Sequence, residues 1–468
     1  MKIVKKTMII LASLVGLILL LYAEENVRGW LLWELHLRQC IKRGDQLDFN
    51  ALIPPRIPDA QNMAAAPIFA ELLKMDTVGD ARNGMLRLPD ISEGWGRWMI
   101  GKREDMRAWQ AAFSNDDLNA AMTRYDPVFV EIEKANRRPL TRFEQDYTNL
   151  NFRSHSMLLK VGKLYRLKAL IDLYQGRTEA AADDIRLMVR LANTMQDEPL
   201  LTSTLVRIGI LAMTLQPLWE GISAHRWKDN ELRVLGDDFK RLDLIQHMDL
   251  ALRGERCYSH KTLHQFLKTP EKLLFYEIYV NPAISWLVKL TPRGWAYIKM
   301  RNVDKVYVDY FLAHTNMTTI LGGRLPVESV ERICLKNQTH RNSFNISPNL
   351  VRNMIGGGWP KAGEVQTLMQ CAAVACALER YRLTNKSYPD QLESLTPDYI
   401  DRIPLDVIDG KPLRYQQDGS VGYVLYSVGW NRRDEAGVSS FESATAEGAS
   451  ARPDKKQGDW SWRVKPAP

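Results

Sequence analysis

Cys257, His260 and His264 stand at i, i+3 and i+7, a spacing that puts three side chains on one face of an α-helix. Thiolate and imidazole are preferred zinc donors, so these three are a candidate transition-metal site, and a metal-dependent hydrolase is the activity such a site would imply. No H-E-x-x-H glutamate and no fourth ligand lie nearby, and an amphipathic helix produces the same spacing without a metal. A second group offers hard oxygens. Asp434 and Glu435 lie in the loop Asn431-Arg432-Arg433-Asp434-Glu435-Ala436-Gly437, and Asp459 in Gly458-Asp459-Trp460 is placed to return to it. Carboxylates on a flexible loop are what calcium binding needs, whereas Arg432 and Arg433 oppose a cation. For covalent hydrolysis there is no G-x-S-x-G elbow and no S-x-x-K set, and for phosphate there is neither a Walker A loop nor G-x-G-x-x-G. No residue pattern therefore names a reaction, and no cofactor other than calcium is indicated.

The elements that would hold such residues belong to an ordinary globular chain. It has 468 residues, 45% of them hydrophobic and 25% charged, with only 5 Cys, which excludes a disordered, collagen-like or disulfide-dense protein. Lys and Arg exceed Asp and Glu by 63 − 55 = 8. Beyond Lys2, Lys5 and Lys6 the basic residues come singly or in pairs among acidic ones, a solvated surface and not a nucleic-acid footprint. The cysteines, at 40, 257, 334, 371 and 376, are odd in number, so at least one is unpaired within a monomer. A disulfide between Cys257 and Cys334 and two buried thiols are both open readings, while Cys371 and Cys376 read as small buried residues.

Thr7 to Ala23 is an uncharged apolar run between three lysines and Glu24-Glu25. Its length suits a spanning helix better than the 7–15-residue core of a cleaved signal, and no A-x-A site follows it. The expectation is an uncleaved, single-pass anchor, its lysines cytoplasmic and everything after residue 24 exported: in a bacterium, an inner-membrane protein with a periplasmic bulk.

Past the anchor, Asn26 to Arg43 reads as an amphipathic helix resting on the membrane or on the protein body, ended by Gly44. Leu52 to Asp59, with three prolines, reads as an extended strap. Ala64 to Met75 reads as a short helix, and 79–103 as irregular loop. Helical periodicity then predicts helices over Asp116–Asn136, Thr141–Tyr174, Arg177–Gln196, Leu200–Ala224 and Asn230–Lys268, with breaks inside the long ones whose places the pattern does not fix, a bundle or stack of hairpins. Residues 269–320 are rich in aromatics but too charged for a second span. Gly356-Gly357-Gly358, within 353–363, reads as a linker. After it come a helix over Glu364–Asn385 and a hairpin over Pro412–Gly429.

Three resemblances follow from particular wording. Leu173-Tyr174-Gln175-Gly176-Arg177-Thr178-Glu179-Ala180-Ala181 resembles the inter-helix turn of a tetratricopeptide hairpin, without a second copy at the 34-residue period. Ala377-Leu378-Glu379-Arg380-Tyr381-Arg382-Leu383, Tyr388-Pro389, Ile403-Pro404-Leu405-Asp406, Gly410-Lys411-Pro412-Leu413-Arg414-Tyr415 and Tyr426-Ser427-Val428-Gly429 resemble, in that order, the soluble domain of the major pseudopilin of bacterial type II secretion. That likeness implies a long helix packed on a small antiparallel sheet, and calcium in the loop after the Tyr-Ser-x-Gly strand. The anchor lacks a prepilin leader, and about 340 residues separate it from this module, so assembly into a pilus core is not implied. The combination of an Asp59-x-x-Asn62 strap, the run Ala251-Leu252-Arg253-Gly254-Glu255-Arg256 and this tail is similar to a family of uncharacterised anchored bacterial proteins.

The expected fold is mainly α: an anchor (1–25), an amphipathic helix and strap (26–115), a repeat-like helical-hairpin domain (116–268), an aromatic-rich extension (269–352), a Gly-rich linker (353–363) and a small α+β pseudopilin-like domain with an irregular tail (364–468). The expected function is that of a non-catalytic interaction or scaffold protein of the envelope or of secretion, with envelope proteins and the membrane as partners. Nucleic acid is not expected, and no small-molecule substrate is indicated.

Overall fold

The structure is a computed structural model and describes residues 2–75, 115–147, 152–268, 291–313, 324–335, 346–419, 422–439, 441–442, 452–453 and 458–464. The loop read at 79–103 and the aromatic stretch 269–290 lie outside them. The described chain is mainly helical with a small three-stranded antiparallel sheet. It divides into two compact units that do not follow the expected segments: one combines residues 1–53, 251–317 and 326–357, the other 54–250, 318–325 and 358–468.

In the first unit, helix α1 (Lys2–Lys42) is continuous. At 1.5 Å per residue it is about 60 Å long, roughly twice the thickness of a bilayer's hydrocarbon core. After its lysines, the stretch from Thr7 to Leu21 is apolar on every side and uncovered by protein, as a membrane-crossing helix would be. The amphipathic segment expected as a separate helix at 26–43 is its second half, because nothing between Ala23 and Asn26 breaks a helix. That half buries Gly29, Trp33, His36 and Cys40 along one face. Gly44, at φ +79°, then turns the chain.

The second unit holds α2 (Pro67–Met75), α3 (Asn115–Thr123), α4 (Asp126–Asn136), α5 (Arg153–Tyr174), α6 (Thr178–Asn193), α7 (Leu201–Ser223) and α8 (Asp229–Lys240). Helices α5, α6 and α7 pack mutually, and α8 lies against α6. The α5–α6 turn closes as a Schellman motif: Arg177 N donates to Asp172 O, Gly176 N donates to Leu173 O, and Gly176 has φ +78°. Helix α7 is apolar enough to cross a membrane but is 78% buried, which makes it the core of this unit.

Three expected helices are interrupted, each for a visible reason. The segment begun at Asp116 breaks at Tyr125, before Pro127 opens α4. In the segment begun at Thr141 the described residues 141–147 are not helical, and α5 begins at Arg153. Asn62 holds residues 140–142 extended: its Nδ2 donates to Arg142 O, its Oδ1 accepts from Arg142 N, and Met63 N donates to Leu140 O. The segment begun at Asn230 breaks between α8 and α9 (Leu244–Lys268). There Gln366 accepts from Leu244 N and donates to Leu242 O, and Asp243 caps Gln246 N.

Two further helices, α10 (Arg293–Ala313) and α11 (Val327–Leu335), precede α12 (Ile346–Asn385), which overturns the linker. Gly357 faces open space, but the glycines on either side of it are there for close packing. A Cβ on Gly356 would lie 2.4 Å from Cys334 Sγ, and one on Gly358 would lie 2.3 Å from Met248 Cε. All five cysteines are free thiols, so Cys257 and Cys334 are not bridged.

The sheet orders as β1 (Arg414–Asp418), β2 (Gly422–Ser427) and β3 (Trp460–Val464), with Leu425 opposite both Tyr415 and Trp462. Strand β3 replaces part of the expected irregular tail. The module is not separate from the helical bundle: Trp219 Nε1 on α7 donates to Arg463 O, and His225 bonds the buried Glu379 of α12.

Candidate functional site

The densest polar cluster lies in the first unit, where α1 meets α10. The approach of the two helices is set by glycine, since a Cβ on Gly29 would lie 2.1 Å from Gly294 O and one on Gly294 would lie 1.9 Å from Glu25 O. Around this notch Tyr22 OH donates to Thr291 O (3.1 Å), Gly294 N to Asn26 Oδ1 (2.9 Å) and Trp295 Nε1 to Glu25 Oε2 (2.9 Å). Seven residues beyond Gly29 comes His36 and ten beyond Gly294 comes Asp304, so the polar cluster continues the same seam.

Asp304 is fully buried and is the hub. Its Oδ1 accepts from Arg256 Nε and His260 Nε2, both at 2.7 Å. Its Oδ2 accepts from His36 Nε2 at 2.7 Å and Arg256 Nη2 at 3.1 Å, with Cys40 Sγ at 3.6 Å. Because an ionised carboxylate only accepts, both imidazoles present Nε2–H to it. Arg256 Nη2 also reaches Asp45 Oδ2 at 2.9 Å and Cys40 Sγ at 3.3 Å. Arg43 Nη2 completes the ring, 3.1 Å from Cys40 Sγ and 2.8 Å from Asp45 Oδ2. Burial alone would raise the Asp304 carboxyl, but the donors from His260, His36 and Arg256 outweigh it and hold it well below the usual carboxylate range. Two aspartates thus balance two arginines, with Asp304 and Arg256 buried and Asp45 and Arg43 at the solvent-facing edge.

Of the residues first singled out, His260 joins this hub, and its ring lies 5.2 Å from that of Trp33. Cys257 points elsewhere on α9 and donates to Gln46 O at 3.3 Å, away from the hub; burial pushes its thiol up to about 11, as it does that of Cys40, so its direction and not its acidity sets it apart. His264 lies on the same helix, and its side chain is outside the described residues. His36 and Cys40 escaped the sequence reading although their i, i+4 spacing on an amphipathic helix is visible, and Asp304 stands in no motif. Arg256 closes the run Ala251–Arg256, whose wording carried a family likeness without a role.

The oxygen cluster does come together. Asp459 Oδ2 accepts from Glu435 N (3.0 Å) and Gly437 N (2.7 Å), and Glu435 Oε2 accepts from Gly458 N and Asn431 Nδ2. Asp434 Oδ1 accepts from Ala436 N, and its Oδ2 faces Arg414 Nε at 3.4 Å. Only Asp459 Oδ1 is buried without a partner, and burial raises this carboxyl to about 6. These carboxylates are spent on backbone N–H groups, and an arginine stands where calcium would need further oxygens, so the set fits calcium poorly.

A third constellation, in the second unit, has the residue types of a hydrolase. His155 Nε2 lies 2.9 Å from Ser203 Oγ, whose hydroxyl donates to Glu198 Oε2, and His247 lies 3.2 Å from Glu198 O. Burial lowers His155 to about 4 and raises Glu198 to about 7. The serine proton goes to the glutamate instead of to the imidazole, and all three groups are buried. This is a structural network and not a nucleophile with its base.

No family model, no curated protein and no solved structure matches this chain.

Proposed function

We propose that this chain is a membrane-anchored scaffold of the bacterial envelope that acts through protein contacts. One observation carries the reading: α1 runs unbroken from an apolar half that no protein covers into a half clamped on α10, so a bilayer-embedded anchor would be stiffly joined to its extramembrane unit. The anchor spans Thr7–Ala23 with its lysines in the cytoplasm and the bulk in the periplasm, as the charge asymmetry supports. The sheet with α12 supplies the pseudopilin-like part of the reading, and the helical hairpins around Gly176 supply a repeat-like layer of the kind that binds other proteins. Catalysis is not part of the proposal, since Asp304 with its two histidines and the Ser203 network are both buried.

The test has two arms on the full chain in its own membrane. Alkaline phosphatase fused after residue 468 should be active and a cytoplasm-dependent fluorescent reporter dark; the reverse pattern removes the orientation. In vivo photo-crosslinking from exposed positions should join the chain to specific envelope proteins, and a folded, correctly oriented chain that yields only uncrosslinked protein removes the scaffold role.

A further inference from the structure

We propose that His36, Cys40 and Asp304 bind one divalent transition metal of zinc's kind, which cross-links α1 to α10. The three supply imidazole nitrogen, thiolate sulfur and carboxylate oxygen, the donor types zinc takes. Their ligand atoms all lie within 4.8 Å of one another, and all three side chains are buried. Zinc bond lengths require tetrahedral edges of about 3.6 Å between sulfur and nitrogen or oxygen, and about 3.3 Å between nitrogen and oxygen. Cys40 Sγ already lies 3.7 Å from His36 Nε2 and 3.6 Å from Asp304 Oδ2. The third edge, 2.7 Å while His36 and Asp304 share a proton, opens by about 0.6 Å when a metal replaces that proton.

The surroundings suit the ion. His260 and Arg256 Nε hold the other carboxylate oxygen, as outer partners orient a ligand, while Arg256 Nη2 donates to the ligating Oδ2 at 3.1 Å, through the lone pair the metal leaves free. Arg256 and Arg43 are placed to donate to the thiolate, at 3.3 and 3.1 Å. Binding converts Cys40–SH and M²⁺ into a Cys40 sulfur–metal bond with release of one proton, while the His36 proton passes from Nε2 to Nδ1 and leaves Nε2 free to ligate. Water fills the fourth position. With the ion bound, the cluster of two arginines, two aspartates, one thiolate and one dication carries a single net positive charge, a modest excess for a site so rich in donors. Cys257, whose thiol is turned to Gln46, takes no part.

The test uses the full chain, purified in detergent without a histidine tag, stripped with chelator and titrated with Co²⁺ as a spectroscopic probe. Expected are one Co²⁺ per chain, a near-ultraviolet thiolate-to-cobalt band with intense visible absorption of four-coordinate cobalt, and loss of both on adding Zn²⁺. Cys40→Ser should abolish the thiolate band, and Cys257→Ser should leave it. Because Cys40→Ser removes a buried group, alkylation mapping on the unmutated chain is the second measurement: Zn²⁺ should protect Cys40 at least tenfold. A folded chain that binds no Co²⁺, a thiolate band that survives Cys40→Ser or depends on Cys257, or alkylation of Cys40 indifferent to Zn²⁺ overturns the proposal.

Discussion

Replacing Gly29 by Ala tests the clamp most directly, because two physical effects of opposite sign compete there. In an isolated or lipid-exposed helix the change stabilises by up to about 1 kcal/mol, since alanine is the better helix former. Against α10, the new Cβ would lie 2.1 Å from Gly294 O, where real contacts keep at least 3.0 Å, so the helices must part by about 1 Å. That stretches the bonds of Gly294 N (2.9 Å), Trp295 Nε1 (2.9 Å) and Tyr22 OH (3.1 Å) beyond useful length. At about 1 kcal/mol net for a buried bond, and less for the exposed Trp295 pair, roughly 2 kcal/mol is lost; overpacking strain of about 1–3 kcal/mol adds to it. The expected sum, after the helix-propensity gain, is about 3 kcal/mol of destabilisation, or roughly a hundredfold in the opening equilibrium. Hydrogen exchange of the α10 amides in detergent-solubilised full chain reads this as faster opening around residues 293–304. Gly16→Ala is the control: nothing lies within 4 Å of its Cβ position, so exchange should not change. Equal or greater protection in Gly29→Ala would refute the clamp, because only a helix free of α10 can gain from the substitution.

Two further outcomes concern the second unit. Glu198 is protonated more readily in the folded chain, with a pKa of about 7, than in the unfolded one near 4.5, so its contribution to stability falls as pH rises through that window. At 1.36 kcal/mol per pH unit, Glu198→Gln should gain about 3 kcal/mol on the parent between pH 4.5 and 7. His155 and His247 titrate in the opposite sense but are common to both proteins, so a difference in denaturation midpoints that stays flat with pH would contradict the assignment. Asp406 is fully buried and accepts from Ile408 N, Ser427 Oγ, Val428 N and Arg414 Nη1 at 2.7–3.1 Å. In Asp406→Asn the amide turns an N–H₂ toward donors, and Arg414 keeps only Asp409 and Asp434 as carboxylate partners, which should cost about 2 kcal/mol and open the segment around Asp406 and Val428 to limited proteolysis. Unchanged proteolysis there would show that this carboxylate does not organise the sheet.

What the sequence displayed and what it concealed divide by range. The α5–α6 turn was legible because Gly176 acts on neighbours within five residues, and the hairpin of β1 and β2 because its alternation is local. The places of the breaks at 141–147 and 241–243 were not, because Asn62 and Gln366 impose them from 80 and more than 120 residues away. Gly356–Gly358 misled for the same reason: composition reports that side chains are missing, and only the packed neighbours, Cys334 and Met248, report why. The hub was half visible. His260 stood out by spacing and Arg256 by wording, but Asp304 is separated from His36 by 268 residues, and no local pattern can announce such a pair.

That separation bears on why a buried ionic hub sits on this seam at all. Apolar residues alone would hold α1 against α10, but they tolerate sliding, and a slip of one turn displaces a helix by 5.4 Å. Under the proposed anchoring the axial position matters, because the depth of Thr7–Ala23 in a bilayer would be set by its own apolar length. A register fixed by Gly29 against Gly294, and again by His36 and Arg256 on Asp304, ties that depth to the rest of the unit. Buried ion pairs add little stability over apolar packing, yet removing one partner is severe, and this combination suits a device that rejects wrong registers. The hub is therefore read as a specificity element of the anchor, and accelerated α10 exchange in Asp304→Asn without loss of helix content is its signature.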